Sequence, residues 1–375
     1  MRPPPIDLTG AARHRGRMPA YLWPTAIYAV ILLLHVAVPG RWVTGYVTHH
    51  QTGEKLRYRL NGLRVLALSV AAWALACGSG LLAWDAFYVH RWEMAAGACG
   101  LGLLFTLAIV LPAPPVPGKG LLVELYEGRL ANPQWWGGLL DAKMVLYLAG
   151  AIMLELNVLS FAAHHVALHA ADPSPGVYLY AFLFSFFVTE YLNFEEVHLY
   201  TYDFMAERVG FKLGWGCLVF YPFFYPVGLW GLAEAPNPHT PAALLALYGA
   251  IFFAGWTLSR GANLQKFHFK RDPTARAFGM LDPRAISGGG KHVLSGGFWG
   301  LSRHINYLGE ILMASGLALS LGYPLALTPW LYPLYYVALL LPRQADDDRR
   351  CAARYGALWD EYCRRVPWRI IPYVY

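Results

Sequence analysis

Carboxylates and phenols crowd into one short stretch of the sequence, where Tyr191, Glu195, Glu196, Asp203 and Glu207 follow a long apolar run. If the helix of that run continues, Tyr191, Glu195 and Tyr202 fall on one face at i, i+4 and i+11. A carboxyl buried there has its pKa raised and can stay protonated near neutral pH, as a general acid must. Glu195 is therefore the first candidate proton donor, with Tyr191 and Asp203 as the next. The plain alternative is a solvated loop after a helix end, which suits Glu196 and Glu207 better than Glu195.

Cations and aromatics gather farther on. From Arg260 to Trp299 the chain carries Arg260, Lys266, Lys270, Arg271, Arg276, Arg284 and Lys291 against only Asp272 and Asp282. Lys266 and Lys270 are one helical turn apart, so both ammonium groups reach the same side, which suits a phosphate-bearing ligand. On spacing alone, the usual excess of cations in cytoplasmic loops explains them better. Trp299, Arg303, His304, Asn306 and Tyr307 pack together where the next apolar run begins, and an Arg-His pair there can hold a dinucleotide's phosphates or carboxamide. Arg343, Asp347, Cys351 and Tyr355 recur every fourth residue, a polar stripe where a plain amphipathic helix would be apolar.

A membrane bundle must position these groups. Of 375 residues, 57% are hydrophobic and 14% charged, against about 25% charged in average globular chains. Apolar stretches near 21–39, 63–85, 93–111, 143–163, 176–194, 211–233, 241–259, 305–322 and 324–342 approach the ~20 residues that a spanning helix needs. None alternates with the period of a barrel strand. The first is read as retained rather than as a signal peptide, because no small-residue cleavage site follows it. Arg2, Arg13, Arg15 and Arg17 at one end and Arg343, Arg349, Arg350, Arg354, Arg364, Arg365 and Arg369 at the other place both termini in the cytoplasm. That requires an even number of crossings, so a tenth span is expected within 115–140 or 195–210. The basic loop from Arg41 to Arg64 then faces outward, against the same rule. The prediction is an all-α, polytopic transmembrane helix bundle of about ten spans, a single domain over 1–375. It comprises a cytoplasmic tail over 1–20, N-terminal helices with the substrate pocket over 21–259, and a cytoplasmic-side cofactor pocket in the C-terminal half, 260–375.

The net charge of +7 suits loops near anionic headgroups, and nothing in the pattern points to nucleic acid or to an obligate protein partner. The five cysteines show no CxxC spacing, so neither a disulfide framework nor a metal site is expected. His164, His165 and His169 are too few for a di-iron hydroxylase or desaturase.

The C-terminal third resembles a known family. Its pieces are Arg260-Gly261-Ala262-Asn263-Leu264-Gln265-Lys266, Gly297-Phe298-Trp299-Gly300-Leu301-Ser302-Arg303-His304-Ile305-Asn306-Tyr307-Leu308-Gly309-Glu310, Asp347-Asp348-Arg349-Arg350-Cys351 with Arg354-Tyr355-Gly356, and the ending Val366-Pro367-Trp368-Arg369-Ile370-Ile371-Pro372. Looser matches are Arg59 to Leu63, Glu195 to Asp203, and Gly214-Trp215-Gly216-Cys217 with Pro222 and Tyr225. These resemble the integral-membrane sterol reductases, which include the sterol C-14 and 7-dehydrocholesterol reductases and the membrane half of the lamin B receptor.

The resemblance implies NADPH-dependent reduction of a sterol ring double bond, C-14 ahead of C-7, in an endoplasmic-reticulum or bacterial inner membrane. It implies cofactor contacts at Lys266, Lys270, Trp299, Arg303, His304, Asn306, Tyr307, Arg343, Asp347, Cys351 and Tyr355. There is no GxGxxG after a strand, so the site is not of the Rossmann type. An isolated alkene has no carbonyl to polarise it, so the implied order is protonation, a tertiary carbocation, then hydride. Phe186, Phe187, Trp215, Phe220, Tyr221 and Phe224 are available to steady that cation. Departures stand at Phe187, Glu190, Cys217, Asp346 and Gly128 to Gln134. Two rivals remain: an isoprenylcysteine-type membrane methyltransferase using S-adenosylmethionine, which shares the Arg-His-x-x-Tyr-x-Gly piece, and a catalytically silent sterol-binding protein.

Overall fold

The computed structural model describes residues 18–49 and 52–375. The four N-terminal arginines invoked for the topology lie outside them.

Helix α1 (Trp23–Ala37) leads into an antiparallel hairpin, β1 (Arg41–Thr48) and β2 (Lys55–Leu60). Helices α2 (Gly62–Gly78), α3 (Arg91–Val110) and the short α4 (Leu121–Glu127) follow. Helix α5 (Ala142–Leu168) is capped by Asp141, whose carboxylate accepts the Met144 amide at 3.0 Å. Helix α6 (Pro175–Asn193) starts on a proline that fills the first helical turn. Helix α7 (Phe211–Leu232) widens into a π-turn over Gly216–Phe220, a distortion frequent at functional sites. Helix α8 (Ala242–Arg271) precedes a second hairpin, β3 (Ala285–Gly288) and β4 (Lys291–Leu294), turned by Gly289 and Gly290 at φ +56° and +72°. Such paired positive φ values are what a tight two-residue hairpin turn needs. Helices α9 (Ile305–Ser320), α10 (Leu327–Tyr355) and α11 (Ala357–Arg365) complete the chain.

Among the described residues, six helical segments, Ala20–Ala37, α3, α5, α6, α7 and α8, are long and apolar enough to cross a membrane. Their ends sort into two layers, and α2, α9 and α10 run between the same layers. At the basic layer, Arg59 donates to the Val36 and Val38 carbonyls, Gln134 to Arg57, and Arg41 and Arg271 pair with Glu196. At the far layer, Tyr88 bonds Glu234, His164 bonds Asp85, His165 bonds the Ala233 carbonyl, and Asn237 bonds Asp172. The histidine cluster is thus used in holding loops together.

Three expectations are corrected. Neither polar stretch hides a tenth span: 115–140 forms α4 and a short strand pair, and 195–210 forms two helical turns, Glu195–His198 and Tyr202–Met205. The chain is mostly helical but not all-α, because the described residues include three two-stranded ladders outside the bundle. In the first, Val43, Leu56, Tyr58 and Leu60 point into a core with Met144, Val197, Leu199 and Phe267. That is the period-2 pattern in pieces too short to stand out beside the apolar spans. Lastly, the basic loop Arg41 to Arg64 is this hairpin, and it lies in the same layer as the C-terminal segment.

Candidate active site

Helices α5 to α10 and the segment between α6 and α7 enclose one cavity that opens toward the basic layer. The register along each helix orders its wall. Lys266, Trp299, His304, Asn306, Arg343 and Asp347 stand at the mouth, while Phe187, Tyr221, Tyr225, Trp256, Glu310 and Tyr336 lie deeper. Tyr191 and Asp203 also line it.

The mouth is built from ion pairs. Arg343 bonds Asp203 at 2.9 Å, stands 3.5 Å from Glu207 and lies over the Tyr202 ring at 5.0 Å. Lys212 bonds Glu207 at 2.5 Å. From the start of α5, the fully buried Lys143 donates to the carbonyls of Asp203, Phe204 and Glu207 at 2.8, 3.1 and 2.8 Å. This lysine was invisible to sequence reasoning, because its partners lie about sixty residues away. His304 bonds Asp348 at 3.2 Å and stacks on Tyr307. The Lys266 ammonium lies over Trp299 at 5.2 Å, and the Trp299 indole donates to the Ala262 carbonyl.

A family model described as the ergosterol biosynthesis ERG4/ERG24 family matches residues 14–375. The chain belongs to this family. It is 31% identical over 367 residues to the Delta(14)-sterol reductase of Arabidopsis thaliana, covering 93% of this chain and 96% of that one. Its identity to Delta(14)-sterol reductase TM7SF2 of Mus musculus is 31% over 386 residues, covering 96% and 89%. The Delta(14)-sterol reductase of Methylotuvimicrobium alcaliphilum is 34% identical over 255 residues, 67% of this chain and 58% of that one.

The family pieces converge on the cavity unequally. Lys266, Trp299, His304, Asn306, Tyr307, Arg343 and Asp347 line it, whereas Lys270, Arg303, Cys351 and Tyr355 do not. The Lys270 ammonium lies over the Tyr46 ring of β1 at 4.4 Å. Arg303 is buried against Asp348 at 3.5 Å. Cys351 and Tyr355 pack against the small core of Ile286, Val293, Trp359 and Tyr362, where burial pushes the Cys351 thiol up to about 12. Of the aromatics proposed to steady a cation, Phe187, Phe220 and Tyr221 line the cavity. Phe186 packs on Phe252 and Trp256, Trp215 stacks on Phe211, and Phe224 stacks on Phe220.

Glu195 is not where a continuous helix would put it. Helix α6 ends at Asn193, Phe194 breaks it, and the next turn aims Glu195 away from the cavity. Its carboxylate accepts the Gly62 amide at 2.9 Å, at the first residue of α2. The fit is tight: a Cβ on Gly62 would come within 2.5 Å of Glu195 Oε1. His198, on the same turn, stacks on Tyr191 at 3.9 Å and donates from Nε2 to the Tyr191 carbonyl. Burial, with Arg260 nearby, pushes its pKa down to about 3, so it is a neutral prop for that ring.

Burial pushes the Glu195 carboxyl up to about 7 from an ordinary 4.5, outweighing the Gly62 amide and Arg41. The folded state thus holds this proton more tightly than the unfolded chain. The stability it contributes is complete below the unfolded value and is lost as pH rises through the folded one. The melting temperature of detergent-solubilised protein is expected to fall from pH 5 to pH 8 more in the wild type than in Glu195→Gln, which keeps an acceptor for Gly62 and cannot titrate. Equal falls in both proteins would refute this placement.

Several buried polar atoms in the cavity wall lack a protein partner: Asn263 Oδ1, Asn306 Oδ1, Arg260 Nη1, Arg343 Nε, Trp256 Nε1 and the Tyr221 hydroxyl. Such groups are costly unless something bonds them. They stand along both the mouth and the deeper wall, so a ligand with polar groups and an apolar body fits the donor set.

Proposed function

We propose that the protein reduces the C-14 double bond of a sterol, with NADPH as the reductant. The observation that carries this reading is the single cavity that joins a cationic, aromatic mouth to a deeper wall of phenyl and phenol rings. Family membership and the names of its relatives support the same choice, C-14 ahead of C-7.

At the mouth, Lys266 and Arg343 would meet phosphate, Asn306 would bond the carboxamide or ribose, and Trp299 and Tyr307 would offer ring faces. Bound there, the dinucleotide would supply hydride to a carbocation in the deeper part. Lys270, Arg303, Cys351 and Tyr355 would hold the elements that carry these contacts. Tyr191 and Asp203 would face the sterol, Asp203 committed to Arg343 and Tyr191 fixed by His198. The rings of Phe187, Tyr221 and Tyr225 would exclude water, so that nothing but hydride traps the cation.

The whole chain acts as one membrane domain in this reading, with the sterol wall shared between residues before and after 260. Nine helices, not ten, would cross the bilayer, with the basic layer in the cytoplasm. Sterol would enter from the lipid and the dinucleotide from the cytoplasm.

The test is a panel of sterol dienes given to the purified protein with NADPH or NADH, the products read by mass spectrometry. Loss of the C-14 double bond with NADPH, much more slowly with NADH, is the expected result. Lys266→Ala combined with Lys270→Ala should raise the NADPH KM severalfold at unchanged kcat. Equal use of NADH, or methyl transfer from S-adenosylmethionine, would sink the reading.

A further inference from the structure

Helices α8 and α9 approach each other over glycines. A Cβ on Gly309 would lie 2.5 Å from both the Gly255 carbonyl oxygen and the Ser259 amide nitrogen, and one on Gly316 would lie 2.8 Å from the Phe252 nitrogen. Small residues let spanning helices touch backbone to backbone. This contact brings the side chain that follows Gly309, Glu310, against Ser259, whose hydroxyl donates to Glu310 Oε1 at 2.6 Å. Glu310 lies about one turn deeper than Asn306 and Tyr307, in the cavity wall among Tyr221, Tyr225 and Tyr336. The hydroxyls of Tyr332 and Tyr336 are joined at 3.3 Å, and that of Tyr221 has no partner.

The other carboxylates of the cavity all have a basic side chain in reach. Glu190 bonds Arg260 at 2.6 Å, Asp203 bonds Arg343, Glu207 bonds Lys212, and Asp347 stands 3.9 Å from His304. Among the described residues, no basic side chain lies within ion-pairing distance of Glu310. The guanidinium of Arg260, next in sequence to Ser259, is held by Glu190 through Nε and Nη2. Glu310 is thus a cavity acid with no ion pair of its own, at the depth where the rings gather.

We infer that Glu310 is the catalytic acid that protonates the ring alkene. The inference rests on the reductase reading above. The Glu310 O–H bond breaks, and the alkene's π pair forms a C–H bond at one carbon. The other carbon, the more substituted one, becomes a tertiary cation. The new carboxylate is then a counter-ion for that cation, and the rings of Tyr221 and Tyr225 flank the charge. The cation is quenched by hydride from the dinucleotide, whose nicotinamide is oxidised. The carboxylate regains its proton from water. Ser259 acts as a positioning residue that fixes which carboxyl oxygen carries the proton.

The experiment uses the full-length protein in detergent, with Glu310→Gln and Glu310→Asp. For Glu310→Gln, kcat on the diene should drop by ~10²–10⁴-fold, the scale of a lost general acid, at unchanged diene KM and NADPH affinity. A second readout needs no turnover. A sterol analogue with a protonated amine at the cation position should bind Glu310→Gln about tenfold more weakly than the wild type, while the neutral sterol binds both alike. Full kcat in Glu310→Gln, or equal losses for the amine and the neutral sterol, overturns the inference. If Glu310→Gln does not fold, Glu310→Asp decides: a lowered kcat at unchanged KM supports the role, and an unchanged kcat overturns it. A wild type that reduces no diene overturns the reductase reading with it, whereas an active wild type beside an equally active variant overturns Glu310 alone.

Discussion

Arg343→Ala is expected to abolish sterol reduction, lowering kcat/KM by about 10³-fold or more, while the helix content of the purified protein stays near that of the wild type. The Arg343 guanidinium holds two carboxylates. It bonds Asp203 at 2.9 Å and approaches Glu207 at 3.5 Å, with its own side chain 16% exposed and those two 25% and 11%. Removing one partner from a largely buried pair leaves the other uncompensated, at a cost of about 3 kcal/mol, the low end of the range because Asp203 keeps some solvent. That cost falls on the segment over 201–207, which Lys143 holds from inside and Arg343 from the cavity side. The whole protein should stay folded, but the mouth would lose both the cation proposed to meet the dinucleotide and the position of Asp203. Arg343→Lys should recover only part of the loss, because an ammonium cannot reach two carboxylates with one planar fork. Arg343→Ala with Asp203→Asn separates the two effects. The pair should regain thermal stability over Arg343→Ala alone without regaining activity. Recovery of both would show that Arg343 only neutralises Asp203, and more than a tenth of wild-type turnover in Arg343→Ala would remove it from the site.

The mouth of the cavity was readable in the sequence for a physical reason. Lys266, Trp299, His304, Asn306, Tyr307, Arg343 and Asp347 stand where apolar runs end, so each is a conspicuous polar residue beside a span, and the resemblance fell on the same positions. Lys266 and Lys270 do stand one turn apart on α8, but only Lys266 reaches the cavity, because β1 brings Tyr46 against Lys270. No local signal announces that hairpin's docking. Glu195 was misplaced for a different reason. A face shared by Tyr191 and Glu195 requires α6 to run through, and a single residue, Phe194, turns the chain. Glu310 has no signal of its own in the sequence beyond its place at the end of the Gly297 to Glu310 piece. Its meaning comes from Ser259 on another helix and from the cations that its neighbours have and it lacks. Patterns along one helix predict which residues share a face, but not which neighbouring helix will face them.

A reporter fused after Tyr375 and one inserted just before Met18 are expected on opposite sides of the membrane, the first in the cytoplasm. The even count of crossings came from the basic residues at both ends of the chain, four of which lie outside the described residues. The nine described helices proposed to cross, the six long apolar segments with α2, α9 and α10, would give an odd count. The start of α1 packs in the far layer, where Trp23 meets Phe87 and His90, while its last turn reaches the basic layer, where His35 bonds Asn61. Each later leg reverses direction, down to α10, whose C-terminal turns carry Arg350 and Arg354 into the basic layer. Among the described lysines and arginines, Arg91 alone belongs to the far layer, which also carries Asp85, Asp172 and Glu234. By the rule that cations stay on the cytoplasmic side, the basic layer would be cytoplasmic, and the loop from Arg41 to Arg64 would then obey it. The same assignment puts Lys266 and Arg343 on the side where a nicotinamide dinucleotide is available. Both reporters in the cytoplasm would mean that the chain crosses an even number of times and that Ala20–Ala37 does not span.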